Sequence, residues 1–234
     1  MASVLKVDKL DPQSGTALEI GSSGDTITIP SGATFTQSGT MNASAITAGT
    51  IATARLGSGT ASSSTVLYGD NTWAAAGGIT AASQWRVTVT FSDSADPIAS
   101  NWAVVDTDGY GSLGSAMSES SGVFTFPSTG YWLIQYHMWF NNSSADDRYV
   151  GGYIETTVDD GTFGEAASSW TNIPQSAHGT STGGNCSMSF LFDVTSVSTH
   201  KCQFRSEMIQ STTQTYGSTT QNDTYVTFTR LGDT

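Results

Sequence analysis

The sequence predicts an all-β protein, made of a C-terminal antiparallel jelly-roll β-sandwich preceded by an extended β-rich shaft. Three observations favour this class. No long run of apolar residues follows the helical period, short apolar stretches alternate with Gly, Ser and Thr, and only 12% of the residues are charged. Short strands joined by Gly-rich loops are typical of sandwiches and barrels.

Three regions of unequal composition divide the chain of 234 residues. Residues 1–13 carry a short apolar segment, residues 14–82 are poor in large side chains, and residues 83–234 hold five of the six tryptophans. Because a sizeable core needs large apolar side chains, we expect the core in the third region. The part before it cannot bury much surface by itself.

The region of residues 14–82 begins with short apolar stretches separated by turns. Residues 26–29 alternate Thr and Ile and are followed by a Pro-Ser-Gly turn. Strands this short are not stable alone, but three copies wound about one axis would let their apolar residues share a narrow core. Those residues are Leu18, Ile20, Ile27, Ile29 and Phe35. A disordered linker rich in Gly, Ser and Thr is the alternative.

A thin connector rich in Ala, Thr and Ser follows at residues 41–64, with a short helical turn predicted at residues 52–56. Residues 67–73 then combine a turn with an aromatic side chain. Asp70 followed by Asn71 favours a tight turn with left-handed backbone, and Trp73 would anchor it.

Eight strands are predicted in residues 83–234, at the spacing of an antiparallel sandwich. In the first of them, Trp85, Val87, Val89 and Phe91 alternate with polar residues. The other seven are residues 102–105, 123–126, 131–140, 149–157, 187–194, 200–208 and 224–231.

The strand of residues 131–140 is the most informative because both of its faces are apolar. Its even-numbered positions carry Trp132, Ile134, Tyr136, Met138 and Phe140, and its odd-numbered positions carry Tyr131, Leu133, Gln135, His137 and Trp139. A surface strand of an antiparallel sheet should show one polar face. Either the chain covers both faces itself, or one face packs against a neighbouring subunit. The rest of the sequence favours the second, with the odd-numbered face as the candidate interface.

Two motifs give resemblances to known families. Arg55-Leu56-Gly57, followed by Leu67-Tyr68-Gly69-Asp70-Asn71-Thr72-Trp73, resembles the RLG…LxGDGTW segment of tail-fibre and other appendage proteins of tailed bacteriophages. This chain has Asn71 where that pattern usually has Gly. The resemblance implies a fibre on a virion.

Residues 122–131, which read GVFTFPSTGY, are similar to the GxFTxPxxGxYxF signature of complement C-one-q globular heads. Those heads share the jelly roll of tumour necrosis factor. Residues 225–231 stand where that family has its last, aromatic-bearing strand, so the resemblance covers roughly residues 83–234. It implies a homotrimer in which Tyr131, Leu133, His137 and Trp139 lie near the threefold axis.

Charge and hydropathy exclude several classes of partner. The net charge is -12 and the eight Lys and Arg residues are spread thinly, so the chain lacks the basic stripe that nucleic acids require. No apolar run is long enough to cross a bilayer, and the N-terminal residues have no hydrophobic signal core. We therefore expect no nucleic-acid partner and no membrane insertion.

Motifs of catalytic and metal centres are missing from the sequence, so we expect no enzyme, no catalytic residue and no cofactor. The three histidines lack the spacing of zinc ligands, and no GxSxG nucleophile motif is found. Three acidic pairs occur, of which the first two are interpreted as solvated loop charges, although oxygen-rich loops are compatible with a structural calcium ion. These pairs are Asp93/Asp96, Asp146/Asp147 and Asp159/Asp160.

Both cysteines lie in phase with apolar neighbours, in what look like consecutive strands. Cys186 and Cys202 are therefore expected to point inward. A hairpin turn at residues 195–199 would place Cys202 opposite Phe192, which disfavours a disulfide and favours buried free thiols.

The expected function is that of a non-enzymatic, homotrimeric virion fibre of a tailed bacteriophage, made in the host cytoplasm and displayed on the virion surface. The N-terminal residues would dock on a tail or capsid protein, with Val4, Leu5, Val7 and Leu10 as the candidate contacts. The knob of residues 83–234 would bind a glycan or protein on the host cell. A capsid decoration or head fibre is the alternative, and a depolymerase tailspike is disfavoured because the chain has no room for a long β-helix.

Exposed aromatic residues on loops are the candidate receptor contacts, because such rings stack on sugars and on partner surfaces. They are Tyr110 in residues 106–115, Trp170 in residues 165–174 and Tyr216 in residues 211–221. Packing at the edge of a trimer is the alternative role for all three.

Overall fold

A computed structural model describes the chain at residues 10, 12, 14, 20–34, 36, 51–63, 65–75, 77–174 and 181–234. β-Strands dominate these residues, which include a short 3-10 helix at Thr53–Arg55 but no α-helix. None of the helical residues described forms a span that could cross a membrane. The predicted all-β class is confirmed.

Fifteen strands, β1 to β15 in chain order, are found in the described residues. They are β1 Ser58–Gly59, β2 Thr65–Leu67, β3 Thr72–Ala75, β4 Ala81–Val87, β5 Phe91–Ser92, β6 Trp102–Val104, β7 Ser118–Ser120, β8 Val123–Thr125, β9 Gly130–Asn142, β10 Asp147–Thr157, β11 Gly164–Ile173, β12 Thr182–Val194, β13 Lys201–Met208, β14 Gln214–Thr215 and β15 Tyr225–Gly232.

Two antiparallel sheets form the sandwich. The large sheet has the order β5-β14-β9-β15-β4-β6, with β12 paired to the other side of β9, and the small sheet has the order β11-β10-β13-β8-β7. Along the chain, β4, β9, β12 and β15 of the large sheet are interspersed with β8, β10, β11 and β13 of the small sheet. This repeated crossing between sheets is the jelly-roll arrangement.

All eight strands predicted for residues 83–234 are present, with different ends. The first is divided into β4 and β5, and β12 begins at Thr182 rather than at residue 187. Three further strands of the sandwich, β7, β11 and β14, are not predicted from the sequence. Two of them are very short, and β11 has few of the large or β-branched residues that identify strands.

Aromatic rings join the two sheets at the centre of the sandwich. The ring of Phe124 lies 5.3 Å from those of Trp102, Phe204 and Phe228, and 5.4 Å from that of Trp85. Its side chain is fully buried. Aromatic contacts of this kind contribute about 0.5–1.5 kcal/mol each beyond the area they bury, so Phe124 stabilises the packing of both sheets.

The even-numbered positions of β9 line this core, as predicted. They are buried almost completely, with 0 or 1% of each side chain exposed. The large sheet therefore uses one face of its longest strand for the core, which leaves the odd-numbered face on the outside.

Two glycines of the motif before β9 are required by close backbone approaches. Gly122 has φ +85°, and a Cβ atom there would lie 2.6 Å from the Ile98 carbonyl oxygen. Gly130 has φ +134°, and its Cβ would lie 2.4 Å from the Gly232 carbonyl oxygen. Because L side chains rarely adopt this conformation and have no space here, glycine is needed at both positions.

The two cysteines are buried free thiols, but the hairpin predicted between them is wrong. β12 pairs with β9 in the large sheet, whereas β13 pairs with β10 and β8 in the small sheet. Cys186 lies opposite Met138, and Cys202 lies opposite Phe124. The chain crosses between sheets after β12, and local sequence does not distinguish such a crossing from a hairpin.

A small three-stranded sheet of β1, β3 and β2 precedes the sandwich. As predicted, Asn71 adopts a left-handed conformation, with φ 63°. The Asp70 carboxylate accepts hydrogen bonds from Thr72, and the Trp73 indole donates one to the Thr53 carbonyl at 3.3 Å. The turn and the short helix predicted at residues 52–56 are therefore in contact.

Residues 20–34 form no strand within this single chain, and the shaft of three wound copies that includes residues 26–29 stays a prediction. The segment consists of turns and irregular backbone, and its apolar side chains are uncovered. Ile20 is 59% exposed, Ile27 60% and Ile29 49%. Leu18 and Phe35 lie outside the described residues.

Candidate functional site

The outer face of the large sheet carries the odd-numbered side chains of β9. Tyr131 and Trp139 are each 41% exposed, whereas Leu133 and His137 are half-buried. A strand of 13 residues is about 43 Å long, so these side chains form an uncovered row across the sheet. The structure thus brings together the four residues predicted for the interface, on one face of one strand.

His137 lies at the middle of this row. Its Nδ1 atom is 2.7 Å from the Ser187 hydroxyl oxygen, and its ring lies 5.3 Å from that of Tyr225. Ser187 and Tyr225 are its register partners on β12 and β15. Burial against these strands lowers the pKa of His137 below its usual 6.5, because desolvation disfavours the imidazolium.

A second apolar group on this face comes from strands that flank β9. Leu191 of β12 and Thr229 of β15 lie opposite Leu133, and Leu191 is 53% exposed. Sequence reasoning did not identify Leu191 or Tyr225 as interface candidates. The alternation of β12 could have identified Leu191. Phe192 is buried and faces the core, so its neighbour Leu191 must face outward.

A shallow concavity of about 460 Å³ lies on the same face, lined by polar side chains that include Gln84, Gln135 and Ser189. At the β4 side of the face, the buried guanidinium of Arg86 forms a 2.5 Å ion pair with Asp106. Asp193 of β12, the register partner of Tyr131, is exposed at one end of the row, so the face also carries a carboxylate. The face therefore mixes apolar and polar groups, as many protein interfaces do.

The three predicted receptor contacts do not form one site. Tyr110 is half-buried beside the large sheet, where its hydroxyl oxygen accepts a 2.8 Å hydrogen bond from the Gln84 amide. Tyr216 is half-buried next to β14, and its amide donates to the Trp139 carbonyl at 2.9 Å. Both contact the large sheet, whereas Trp170 belongs to the small sheet.

Trp170 lies on a strand rather than on the predicted loop. β11 spans Gly164–Ile173 and pairs with β10, where Gly151 is the register partner of Trp170. The indole is 40% exposed on the outer face of the small sheet. The sequence of β11 does not predict a strand, because small and polar residues fill most of it and few of its side chains are apolar.

Aromatic neighbours surround Trp170 on this outer face. The ring of Tyr153 lies 5.4 Å from the indole and that of Tyr149 lies 6.3 Å away, with interplanar angles of 89° and 88°. The guanidinium carbon of Arg205 lies 4.3 Å from the centroid of the Tyr153 ring. We call Tyr149, Gly151, Tyr153 and Trp170 the aromatic trough.

Acidic side chains gather beside the aromatic trough, around Arg205. Its guanidinium pairs with Glu165 at 3.1 Å and Glu155 at 3.7 Å, and it also contacts Glu207. Partial burial lowers the pKa of Arg205, but Glu207 and the other acidic neighbours outweigh it and raise that pKa overall. Burial, together with the negative charge of Glu207, raises the pKa of Tyr153.

The comparisons with known proteins give likenesses of structure only. No family model matches the chain, and no curated protein matches it. Among solved structures, murine APRIL at pH 5.0 is 12% identical over 64% of this chain and 98% of that chain, with a TM-score of 0.47. Eiger TNF from S. frugiperda is 12% identical over 65% and 93%, with a TM-score of 0.48. The fold assignment rests on the strand order itself.

Aspartates of the predicted loop pairs have structural roles, and one of them was interpreted wrongly. Asp147 is 1% exposed and accepts hydrogen bonds from the Gln210 amide and the Thr213 hydroxyl at 3.0 and 2.7 Å. It is a buried anchor at the start of β10 instead of a solvated loop charge. Within the described residues, no three His, Cys, Asp or Glu side chains are grouped so that they could hold a metal ion.

The predicted docking residues Val4, Leu5 and Val7 lie outside the described residues. Leu10 is described and is 54% exposed. Its docking role stays a prediction.

Proposed function

We propose that this chain is a homotrimeric, non-enzymatic fibre of a tailed bacteriophage, whose jelly-roll knob binds the host surface. The observation that carries the proposal is the uncovered outer face of the large sheet. That face presents Tyr131, Trp139 and Leu191 to solvent, each at least 41% exposed, with the polar concavity around Gln135 between Leu191 and Trp139. Large exposed apolar side chains interspersed with polar groups are typical of protein interfaces.

Self-association is the simplest way to cover the face. Burial of a large apolar side chain contributes about 1.5–3 kcal/mol, and a symmetric oligomer buries every such residue once per subunit. The resemblance of residues 122–131 to C-one-q heads implies three subunits. The exposed Ile20, Ile27 and Ile29 support the same proposal, because the described residues leave them uncovered.

The virion assignment rests on the turn before the sandwich. Its sequence resembles the LxGDGTW segment of phage appendages, and Asn71 takes the left-handed conformation for which that pattern usually has Gly. Three knobs on one fibre would bind the host with three weak sites at once, which raises the overall affinity through effective concentration.

Location on the particle tests the proposal. We expect antibodies raised against the knob to label the tail of phage particles in electron micrographs, and purified full-length chain to reduce adsorption of those particles to host cells. Labelling of the capsid, without any effect on adsorption, would contradict the adhesive function and favour a head fibre.

A deletion tests the docking residues separately. A chain without residues 1–13 should be absent from purified particles, while it keeps the oligomeric state and the thermal stability of the full chain. Particles that still carry the shortened chain would contradict docking through Val4, Leu5, Val7 and Leu10.

A further inference from the structure

The outer face of the small sheet carries the aromatic trough, and this surface lies on the side of the sandwich opposite to the proposed interface. We infer that the aromatic trough binds a glycan that contains amino sugars with free ammonium groups. This inference rests on the adhesive function proposed above. It adds a chemical class of ligand and a set of residues that would recognise it.

The shape of the trough follows from Gly151. A Cβ atom at this position would lie 2.9 Å from the Cδ2 and Cε3 atoms of Trp170. The indole therefore rests against the bare backbone of β10, where any larger residue would displace it. Tyr149 and Tyr153 flank Gly151 on the same strand face.

Two of the three rings in the aromatic trough are exposed, and the third is buried. Both tyrosine rings stand nearly perpendicular to the indole, at 88° and 89°. Trp170 remains 40% exposed and Tyr149 59%, whereas Tyr153 is 9% exposed beneath its neighbours. An exposed indole beside an exposed tyrosine ring is suited to the apolar face of a pyranose ring and to a cation, because the ring quadrupole attracts positive charge.

The carboxylates beside the aromatic trough determine which charged sugars could bind there. Four carboxylates contact Arg205, and Arg205 is the only cation paired with them among the described residues. Their side-chain exposures are 58% for Asp96, 8% for Glu155, 58% for Glu165 and 38% for Glu207. The surface beside Tyr153 is thus negative, whereas the exposed Arg148 lies next to Tyr149 at the other end of the trough.

Glu155 is not available to a ligand, because it is buried and also accepts a 2.7 Å hydrogen bond from the Gln203 side-chain amide. Glu165 and Asp96 are more than half exposed and share one guanidinium with two other carboxylates. These two can accept hydrogen bonds from a ligand. An ammonium group would gain charge-assisted hydrogen bonds here, whereas the carboxylate of an acidic sugar would be repelled.

The trough remains accessible in the proposed trimer. The interface uses the outer face of the large sheet, and the trough is on the outer face of the small sheet. Each subunit would therefore present one trough, and three troughs would act together on a repetitive glycan.

Calorimetric titration of the full-length chain with four tetrasaccharides tests the inference. All four share a β-1,4-linked backbone, and their units are glucosamine, N-acetylglucosamine, glucose or glucuronic acid. At slightly acidic pH, where the sugar amine is protonated, we expect glucosamine to bind about tenfold more tightly than glucose, the factor for one charge-assisted contact. Glucuronic acid should show no binding. Equal affinity for the glucosamine, N-acetylglucosamine and glucose tetramers, or binding of the glucuronic acid tetramer, would overturn the ammonium assignment.

Two variants locate the site. Trp170→Ala should weaken binding of both the glucosamine and the glucose tetramer by about tenfold or more, as expected when an aromatic platform is lost. Glu165→Gln should weaken glucosamine binding, because it removes one of the two available carboxylates, and should leave glucose binding unchanged. Tyr68→Ala, at an aromatic side chain that is 42% exposed in the turn before the sandwich, is the matched control and should change neither affinity.

Thermal unfolding of each variant distinguishes lost binding from lost structure. If Trp170→Ala does not fold, the glucosamine affinity of Glu165→Gln tests the inference, since that substitution changes one exposed group. Unchanged glucosamine binding in a folded Trp170→Ala protein, or in Glu165→Gln, would overturn the inference. A trimer that binds none of the four sugars would also overturn it and would leave the proposed self-association intact.

Discussion

The Nδ1 atom of His137 and the hydroxyl oxygen of Ser187 lie 2.7 Å apart across the β9 and β12 pair. This contact is at the centre of the face that we propose is buried between subunits. The imidazole also packs against the Tyr225 ring on its other side. A titratable group in such a position couples the interface to pH.

The first prediction is that acid weakens the trimer through His137. Burial lowers its pKa below 6.5 in the folded chain, and burial in the trimer should lower it further. Because the trimer is compared with the free subunit, it is most stable above the free subunit's His137 pKa and loses this stability as the pH falls through the lower pKa of the trimer. Sedimentation should show less trimer at about pH 5.5 than at about pH 7.5, a range that spans the unperturbed histidine pKa.

His137→Gln is the control for that measurement, because its amide keeps a hydrogen-bonding group near Ser187 but does not titrate. We expect the pH dependence to shrink in this variant. An identical pH dependence in both proteins would show that other groups cause it.

The second prediction concerns the apolar contact of Leu133. Its replacement in Leu133→Asp should favour monomers, because each subunit loses about 2 kcal/mol of apolar burial and introduces a charge. Circular dichroism should be unchanged, since Leu133 faces away from the core. Val158→Asp is the matched control, at a side chain that is 60% exposed and outside the strands. A trimer that tolerates Leu133→Asp would contradict the proposed face.

The third prediction tests the backbone requirement at Gly122. Gly122→Ala should lower the free energy of unfolding by about 1–3 kcal/mol, the usual cost of a strained backbone position, because its Cβ would meet the Ile98 carbonyl. Gly164→Ala should have a small effect, since no atom lies within 4 Å of the added Cβ. Urea denaturation measures both, and equal stabilities of the two variants would refute the requirement.

The fourth prediction is that neither thiol reacts in the native protein. Burial raises the pKa of Cys186 to about 12 and that of Cys202 well above its ordinary value. Since the thiolate is the reactive form, a disulfide reagent at neutral pH should modify both cysteines only after unfolding. Rapid modification of either thiol in the folded chain would contradict their burial.

Alternation of large apolar residues made the main strands predictable. The strand around Tyr136 was found because its even-numbered residues are large and its ends are marked by glycine and asparagine. Its two-sided apolar character also indicated which face would be left uncovered. In contrast, β11 was missed because small and polar residues make up most of it and its two large apolar residues, Trp170 and Ile173, lie near its end.

Long-range pairing could not be predicted from local patterns. The hairpin expected between Cys186 and Cys202 requires that consecutive strands pair with each other. In a jelly roll, consecutive strands such as β12 and β13 belong to different sheets. For the same reason, the aromatic trough was not expected, because β10, β11 and β13 supply its parts from distant segments. Tyr149 and Tyr153 were available as an alternating pair on β10, but nothing local placed them beside Trp170.

The mass of the full-length chain in solution tests the central claim most directly. At micromolar concentration and neutral pH, native mass spectrometry or light scattering should give three times the chain mass of 24.4 kDa. A monomer of 24.4 kDa, with Tyr131 and Trp139 still open to solvent, would contradict the account.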